Sequence, residues 1–243
     1  MIAIAVDMEI AGFIREMERI ADPCLAEEFD CGRIGLIVEG KPEVGTVCCA
    51  LDATEAVVDR AAALEADMLV VHHTPLWQPL TAVRGATMRL LRAVLDAGMN
   101  LYVMHTNFDR APGGVNDTLA AILDLENAEP MSLGVVGDCR ISLDEIGRRL
   151  GHGGLRVWGE IDRAERLAVI GGSGFDPAFI AEAADLGADA FLSAELKHSV
   201  ARAAPIPCIE ATHYALEAPA MEALAGRMSW HFIPDPPYVV LVP

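Results

Sequence analysis

Short apolar runs alternate with longer helical segments along most of the chain. The runs Asp67–Val71 and Leu101–Met104 are mostly apolar, which is typical of strands buried on both faces within a parallel sheet. The segment Met88–Ala97 between them has the length of a helix, and Gly98 after it is a suitable helix terminator. Parallel neighbours need crossover connections of this kind, which are almost always right-handed. The alternation predicts an α/β fold with largely parallel or mixed sheets.

Two segments of the chain resemble each other and predict two related three-layer α/β lobes. Cys49–Val70 aligns with Gly171–Leu192 without a gap, and each reads as strand, capped alanine-rich helix, Ala-Asp and strand. The alternative is a generic likeness, because any β-α-β unit has this pattern and few identities extend beyond Ala and Asp. We expect residues 1–127 with 217–243 to form the first lobe and residues 128–216 to form the second.

The two ends of the chain carry short apolar segments. Met1–Glu9 lacks the basic region of a signal peptide. His231–Ile233 and Tyr238–Val242 look like strands, and either lobe could take them as edge strands. No apolar run in the sequence is long enough to span a bilayer.

Charge and cysteine content narrow the possible partners and the compartment. The formal net charge of −18 repels nucleic acid, anionic membranes and free phosphates, and no basic stripe overrides it. We therefore expect neither nucleic acid nor a membrane as a partner. None of the six cysteines forms a C-x-x-C pair, so a zinc knuckle is not supported. Scattered cysteines that serve as small buried hydrophobes are typical of a protein in the reducing cytoplasm.

Imidazole and carboxylate groups recur at the carboxyl ends of three predicted strands. In α/β proteins such strand ends are where ligands bind. Each of these ends carries a histidine with a second potential ligand close by in the sequence: His72 and His73, His105 and Asp109, and His213 and Glu217. The pattern predicts a metal site assembled from distant parts of the chain.

Each of these groups also has a plainer interpretation. Adjacent histidines can simply close a strand, Asp109 can form the turn before Pro112, and Glu217 can cap a helix beside an incidental His213. Proline is favoured in the first turn of a helix, so Pro219 places His213 at the strand end and Glu217 at the helix entrance. Taken together the groups favour metal binding, because all of them fall at strand ends of one fold.

The combined donor set suits divalent metal ions. Three histidines and two carboxylates, with His105 and His198 in reserve, make a mixed nitrogen and oxygen shell of the kind that binds zinc, iron or manganese. A single open catalytic zinc uses three protein ligands and water, so five ligands fit a pair of ions about 3.5–4 Å apart more naturally. We predict two divalent ions with these ligands: His72, His73, Asp109, His213 and Glu217.

These segments also resemble a known family. Their order and spacing are similar to those of the dinuclear-metal family known as GTP cyclohydrolase I type 2, or the NGG-interacting-factor-three-like family. The resemblance runs from about Gly32 to Glu217, and the segment His105–Asp117 is its most specific part. Four motifs carry it: Ala66–Leu76, His105–Asp117, Lys197-His198 and Thr212–Glu217.

The resemblance implies a fold, a site and an assembly. It implies a paired α/β fold, with the same five ligands holding two metals and Glu217 bridging them. It also implies a ring-shaped homo-oligomer, often a hexamer, and the chain has the length of the short family members. Thr212 stands where the family usually has Gly, and Leu216 stands where it usually has Thr. The ligand positions are unaffected by these departures.

The reaction that the resemblance implies is metal-dependent hydrolysis of a purine-type ring. In the cyclohydrolase reaction hydroxide attacks C8 of guanine and formate is lost. We expect His105 to transfer protons, and Lys197 and His198 to orient substrate or its phosphate. The sequence has no P-loop, and Gly171–Gly174 more naturally makes a tight turn. The alternative function is non-enzymatic: a metal-binding, metal-handling or interaction protein, which the acidic composition fits equally well.

Overall fold

The computed structural model describes residues 8–151 and 154–239. The chain forms two compact units. The first comprises the residues up to Pro112 together with Met221–Asp235, and the second comprises Gly113–Ala220 together with the residues from Pro236 onward. The lobe boundaries drawn from the sequence alone stay a prediction.

The elements before residue 112 follow the predicted alternation of strands and helices. Two short 3-10 helices, Pro23–Leu25 and Glu28–Asp30, lie between the first helix and the second strand. The strands and α-helices are β1 (Met8–Glu9), α1 (Ile10–Ile20), β2 (Gly35–Val38), β3 (Glu43–Val44), β4 (Val47–Asp52), α2 (Glu55–Ala63), β5 (Met68–His73), α3 (Gly85–Asp96), β6 (Asn100–Val103) and α4 (Thr106–Arg110).

The elements after residue 112 complete both units. They are α5 (Val115–Leu123), β7 (Glu126–Pro130), β8 (Val135–Ser142), α6 (Leu143–Leu150), β9 (Arg156–Trp158), β10 (Arg163–Val169), α7 (Pro177–Asp185), β11 (Ala190–Ser193), α8 (His198–Ala203), β12 (Cys208–Glu210), α9 (His213–Met228) and β13 (His231–Phe232).

The sheet of the first unit has the strand order β13-β4-β5-β6-β2. Strands β13, β4, β5 and β6 are parallel, and β2 runs antiparallel to β6 at the edge. Helices α2 and α3 pack on this sheet through the fully buried Val57, Val58 and Val94. Helix α2 begins where the Thr54 hydroxyl accepts a hydrogen bond from the backbone N–H of Val57, as expected for an N-cap.

The sheet of the second unit has the strand order β7-β8-β10-β11-β12-β9. Strands β10, β11 and β12 are parallel, whereas the flanking strands pair antiparallel. The core of this unit includes Phe191 on the central strand β11 and Ile180 on helix α7. Both units are therefore α/β with mixed sheets, as predicted.

The predicted internal repeat is visible in the strand order of the two sheets. The order β4-β5-β6-β2 of the first unit corresponds to β10-β11-β12-β9 of the second, with the last strand antiparallel in each. Val47 pairs with Met68 in the first unit, and Leu167 pairs with Ala190 in the second. The first strands are thus 120 residues apart (167 − 47) and the second strands 122 (190 − 68). The ungapped alignment uses a separation of 122 residues throughout. It therefore fits the second strands and misplaces the first strands by two residues, because the loop that contains Gly171–Gly174, between β10 and α7, is longer than the loop between β4 and α2.

The shared Ala-Asp of the two segments has the same hydrogen-bonding role in both units. The Asp67 carboxylate accepts hydrogen bonds from the backbone N–H groups of Gly45 (3.0 Å) and Thr46 (2.9 Å), just before β4. The Asp189 carboxylate accepts them from Glu165 (2.9 Å) and Arg166 (3.3 Å), within β10. In each unit the aspartate therefore fixes the start of the second repeat strand against the first.

Replacing Asp67 with Asn is expected to lower the free energy of unfolding by about 2 kcal/mol, because hydrogen bonds to a charged group contribute about 1.5–3 kcal/mol. Burial would raise the pKa of Asp67, but hydrogen bonds from Lys41, Thr46 and Gly45 outweigh it and lower the pKa. The stabilisation is therefore present above the unfolded-state pKa and is lost as pH falls through the lower folded-state pKa. Urea unfolding across acidic pH measures this loss.

The matched control for this prediction is Asp59→Asn on the exposed face of α2. It changes the net charge equally and removes no hydrogen bond of the strand junction. Equal unfolding free energies for the two variants at neutral pH would show that the Asp67 contacts contribute nothing to stability.

Of the two strands predicted near the end of the sequence, the structure describes one in full. His231–Phe232 forms β13 and pairs with β4 at the edge of the first sheet. The predicted strand Tyr238–Val242 and the opening segment Met1–Glu9 lie largely outside the described residues. Within residues 8–151 and 154–239, no helix combines the length and apolar character needed to cross a bilayer.

Candidate metal centre

The carboxyl end of β5 carries the two adjacent histidines. His72 is fully buried, and its ring centroid lies 4.9 Å from that of His73. The Nδ1 atom of His73 lies 2.7 Å from Oδ1 of Asp52, which ends the neighbouring strand β4. An ionised carboxylate only accepts hydrogen bonds, so Asp52 favours a proton on Nδ1 of His73 and leaves Nε2 as a metal donor.

The junction between β6 and α4 supplies a third imidazole and a carboxylate. His105 precedes α4, and the backbone N–H of Asp109 donates to its carbonyl at 3.2 Å, which places both residues on one helical turn. Oδ1 of Asp109 lies 3.4 Å from Nε2 of His72. Asp109 is 8% exposed, so it is a buried ligand candidate and not a surface turn residue.

The first unit therefore gathers three imidazoles in one place. Nitrogen atoms of His72, His73 and His105 all lie within 4.8 Å of one another. The ring centroids of His72 and His73 lie 5.2 Å and 5.6 Å from that of His105. Together with the Asp109 carboxylate beside His72, these imidazoles form a set of nitrogen and oxygen donors that suits a divalent transition metal.

Asp30 is a residue of this cluster that sequence reasoning missed. It is fully buried, and its carboxylate oxygens lie 2.8 Å and 3.0 Å from Nδ1 of His105. It also accepts hydrogen bonds from the backbone N–H and the hydroxyl of Thr106. Burial raises the pKa of Asp30, but the hydrogen bonds from His105 and Thr106 outweigh it and hold the pKa below its usual range. The ionised Asp30 therefore orients the His105 ring.

Replacing Asp30 with Asn is expected to let the neutral His105 ring populate both of its tautomers. In the native chain the carboxylate favours a proton on Nδ1, whereas an amide can either donate or accept, so both tautomers become populated. Because Asp30 orients the proposed acid–base residue, its loss is expected to lower activity about 10- to 100-fold. Nitrogen NMR of the His105 ring gives the tautomer directly. The exposed Asp22→Asn is the control, and an unchanged ring spectrum in Asp30→Asn would contradict the prediction.

The second unit holds the other two predicted ligands on one helix. His213 and Glu217 lie one turn apart in α9, with Nε2 of His213 2.9 Å from Oε2 of Glu217. The placement of Glu217 at a helix entrance, inferred from Pro219, was therefore wrong: Pro219 lies inside α9. The helix tolerates the lost N–H of Pro219 because packing stabilises it, with Leu216 and Met221 fully buried on either side.

Glu195 is the partner of His213 on its other side. It lies two residues after the end of β11, at the position that the repeat aligns with His73, and its Oε1 lies 2.8 Å from Nδ1 of His213. Burial lowers the pKa of His213, but contacts with Glu217 and then with Glu195 outweigh burial and raise that pKa to about 9. A metal ion that binds His213 must therefore displace a proton from it.

The loop after β10 comes close to Glu217. A Cβ atom added at Gly172 would lie 2.2 Å from Oε1 of Glu217, and Gly172 has a φ of +64°. Its carbonyl accepts hydrogen bonds from the Ala194 backbone and the Ser193 hydroxyl. The chain bends at residues 171–173, and glycine at position 172 allows the backbone to pass beside the carboxylate.

The predicted substrate contacts Lys197 and His198 lie at the start of the six-residue helix α8 in the second unit. Both side chains are exposed. Their role in orienting substrate stays a prediction.

A family model for Duf34/NIF3 (NGG1p interacting factor 3) matches residues 8–234. The chain belongs to the Duf34/NIF3 family. The match covers both units and all the candidate ligands described above. The family membership predicted from the resemblance is thereby confirmed.

Relatives of similar length support the membership. A protein of Pyrococcus horikoshii named GTP cyclohydrolase 1 type 2 homolog is 32% identical over 220 residues, covering 84% of this chain and 87% of the relative. A Streptomyces coelicolor protein of the same name is 35% identical over 234 residues, covering 84% of this chain and 79% of the relative. Reduced HcgD from Methanocaldococcus jannaschii is structurally similar, with a TM-score of 0.81, 29% identity and coverage of 94% of this chain and 98% of that one.

Proposed function

We propose that this Duf34/NIF3 member is a dinuclear metal-binding protein that hydrolyses a nucleotide or purine-type ring. The observation that carries the proposal is the group of three imidazoles at the ends of β5 and β6, backed by the carboxylates of Asp52 and Asp30. Relatives named GTP cyclohydrolase 1 type 2 homolog support a purine-type substrate.

The ligands that we propose for two divalent ions are those predicted from the sequence. Zinc, iron and manganese all suit this set of imidazole and carboxylate donors. When bound, such ions supply Lewis-acid activation of water and stabilise negative charge that develops during hydrolysis. The proposed ligands are His72, His73, Asp109, His213 and Glu217.

His105 is the proposed acid–base residue of the reaction. Its ring lies beside the two adjacent histidines, and its Nδ1 is bound to the buried Asp30. This pairing leaves Nε2 to accept and return a proton, with Asp30 as the positioning residue that keeps the ring in that tautomer. Lys197 and His198 are proposed to orient the substrate or its phosphate.

We also propose that the chain assembles with itself as a ring, with a hexamer as the family resemblance implies, and that it acts in the cytoplasm. Net charge of −18 supports a small-molecule substrate over nucleic acid. Sedimentation of the purified chain tests the assembly.

The experiment that tests the reaction is incubation of the metal-loaded protein with GTP. Formate and a pterin-type product are expected, with metal counted per chain in the same preparation. Full metal occupancy without either product would reject the cyclohydrolase activity.

The second candidate function is metal binding or handling without catalysis. The excess of 36 acidic over 18 basic residues favours it, because such a surface attracts cations. A His105 variant that keeps its metals distinguishes the two functions. Lost turnover supports the hydrolase, whereas unchanged cellular function supports the metal-handling role.

A further inference from the structure

A cavity of about 430 Å³ lies in the first unit, beside the imidazole group. Its volume falls in the range of pockets that bind small molecules. The walls are mostly apolar, with Leu36, Leu76 and Leu80 among them, and Cys31 and Trp77 also line it. None of the proposed metal ligands is among the described residues that line this cavity.

Trp77 connects the cavity to His105. Its indole ring packs edge-on against the His105 ring, with the centroids 5.3 Å apart, yet the residue is 44% exposed. Phe29 is 52% exposed, and its ring centroid lies 6.1 Å from that of His105. Large aromatic side chains that stay exposed beside polar groups mark binding surfaces, and a flat ring of a ligand can stack on them.

Arg33 gives the cavity a positive charge. Among the lining residues in the described part of the chain, Arg33 alone is charged. Its Nε donates to the carbonyl of Trp77 at 2.8 Å, so the guanidinium and the backbone of the indole residue are held together. A guanidinium has further N–H donors in a planar fork, which match a phosphate or carboxylate. In a chain with a net charge of −18, Arg33 is therefore a local cation that an anionic group could contact.

We propose that this cavity, lined by Cys31, Arg33, Leu36, Trp77 and Leu80, binds a planar heteroaromatic ring that carries an anionic group. The ring lies against Trp77, next to His105, and the anionic group contacts Arg33. This inference rests on the proposed hydrolase function and names the cavity and the side chains that bind the substrate of that site. A purine nucleotide fits the description, whereas a free sugar phosphate lacks the ring and a nucleoside lacks the charge.

The test uses the full-length chain with GMP as the probe, and ribose 5-phosphate and guanosine as its two halves. Binding is followed by tryptophan fluorescence and by protection of the exposed Cys31 from alkylation. GMP is expected to quench Trp77 and to protect Cys31, and each half molecule is expected to bind at least 10-fold more weakly. The same measurements are made with and without chelator, so that binding is read independently of metal.

Variants assign the binding to the two side chains. Trp77→Leu is expected to weaken GMP binding about 5- to 150-fold, since base stacking contributes about 1–3 kcal/mol, and Trp77→Phe is expected to restore most of it. Arg33→Gln is expected to weaken GMP binding about 10-fold and to leave guanosine binding unchanged. The control is Trp158→Leu, because Trp158 also has an arginine against its ring, Arg156 at 5.2 Å, but lies in the second unit on β9.

The outcomes separate this inference from the proposed function. GMP binding that is equal in Trp77→Leu and the native chain, or Cys31 that GMP does not protect, would overturn the cavity assignment even if formate is released. GMP bound as described without any formate release would support the cavity and reject the hydrolase. Binding of ribose 5-phosphate as tightly as GMP would overturn the assignment of an aromatic ligand.

Discussion

Replacing His72 with Ala is expected to remove most of the bound metal. His72 is fully buried, lies within 3.4 Å of the Asp109 carboxylate and belongs to the three-imidazole group. Loss of an outer partner alone costs about 10- to 100-fold in metal affinity, so loss of a buried ligand is expected to cost more than 100-fold. Elemental analysis of purified protein measures the metal content per chain.

The same variant is expected to lose the stabilisation that metal confers. A ligand at about 100 times its dissociation constant stabilises the folded state by about 2.7 kcal/mol. Chemical unfolding with and without added zinc or manganese measures this difference. The control is His231→Ala, which removes an exposed imidazole on β13. Native metal content in His72→Ala would contradict the proposed centre, and Glu217→Gln tests the second unit's ligand in the same way.

Replacing His105 with Gln is expected to lower turnover about 10²- to 10⁴-fold while the metals stay bound. Glutamine preserves polarity near Asp30 but cannot exchange a proton. Release of formate from GTP measures turnover, and elemental analysis of the same sample measures metal content. His231→Gln is the control. Metal loss in His105→Gln would instead make His105 a ligand, and unchanged turnover would remove it from the reaction.

The fold was largely predictable because its strands are strongly patterned. The central strands β4, β5 and β6 are short apolar runs followed by polar residues, and glycine ends the helix before β6. The relation between the two units followed from the repeat, since Asp67 and Asp189 make equivalent contacts in both. The strand orders of the sheets were not predicted. Local pattern and long-range pairing agree at these positions, so sequence alone was sufficient.

The candidate site was predictable only in part. Histidines at strand ends are visible in the sequence, whereas Asp30 lies 75 residues before its partner His105 and belongs to no metal-ligand spacing. Pro219 misled the assignment of α9, because local proline preference was overridden by burial of its neighbours. The cavity at Trp77 was missed for a similar reason: its lining comes from residues 31–37, which include part of β2, and from the loop at residues 76–80, and their meeting depends on tertiary structure.

The order in which the first unit receives its parts has a consequence for biosynthesis. The stretch from Gly113 to Ala220 is contiguous, so a ribosome delivers nearly all of the second unit in one passage. The first unit also needs β13 and the buried Ile233, which the ribosome adds only after residues 113–220. During synthesis β4 is therefore an open edge of this sheet, available to wrong pairing partners, until β13 has been made.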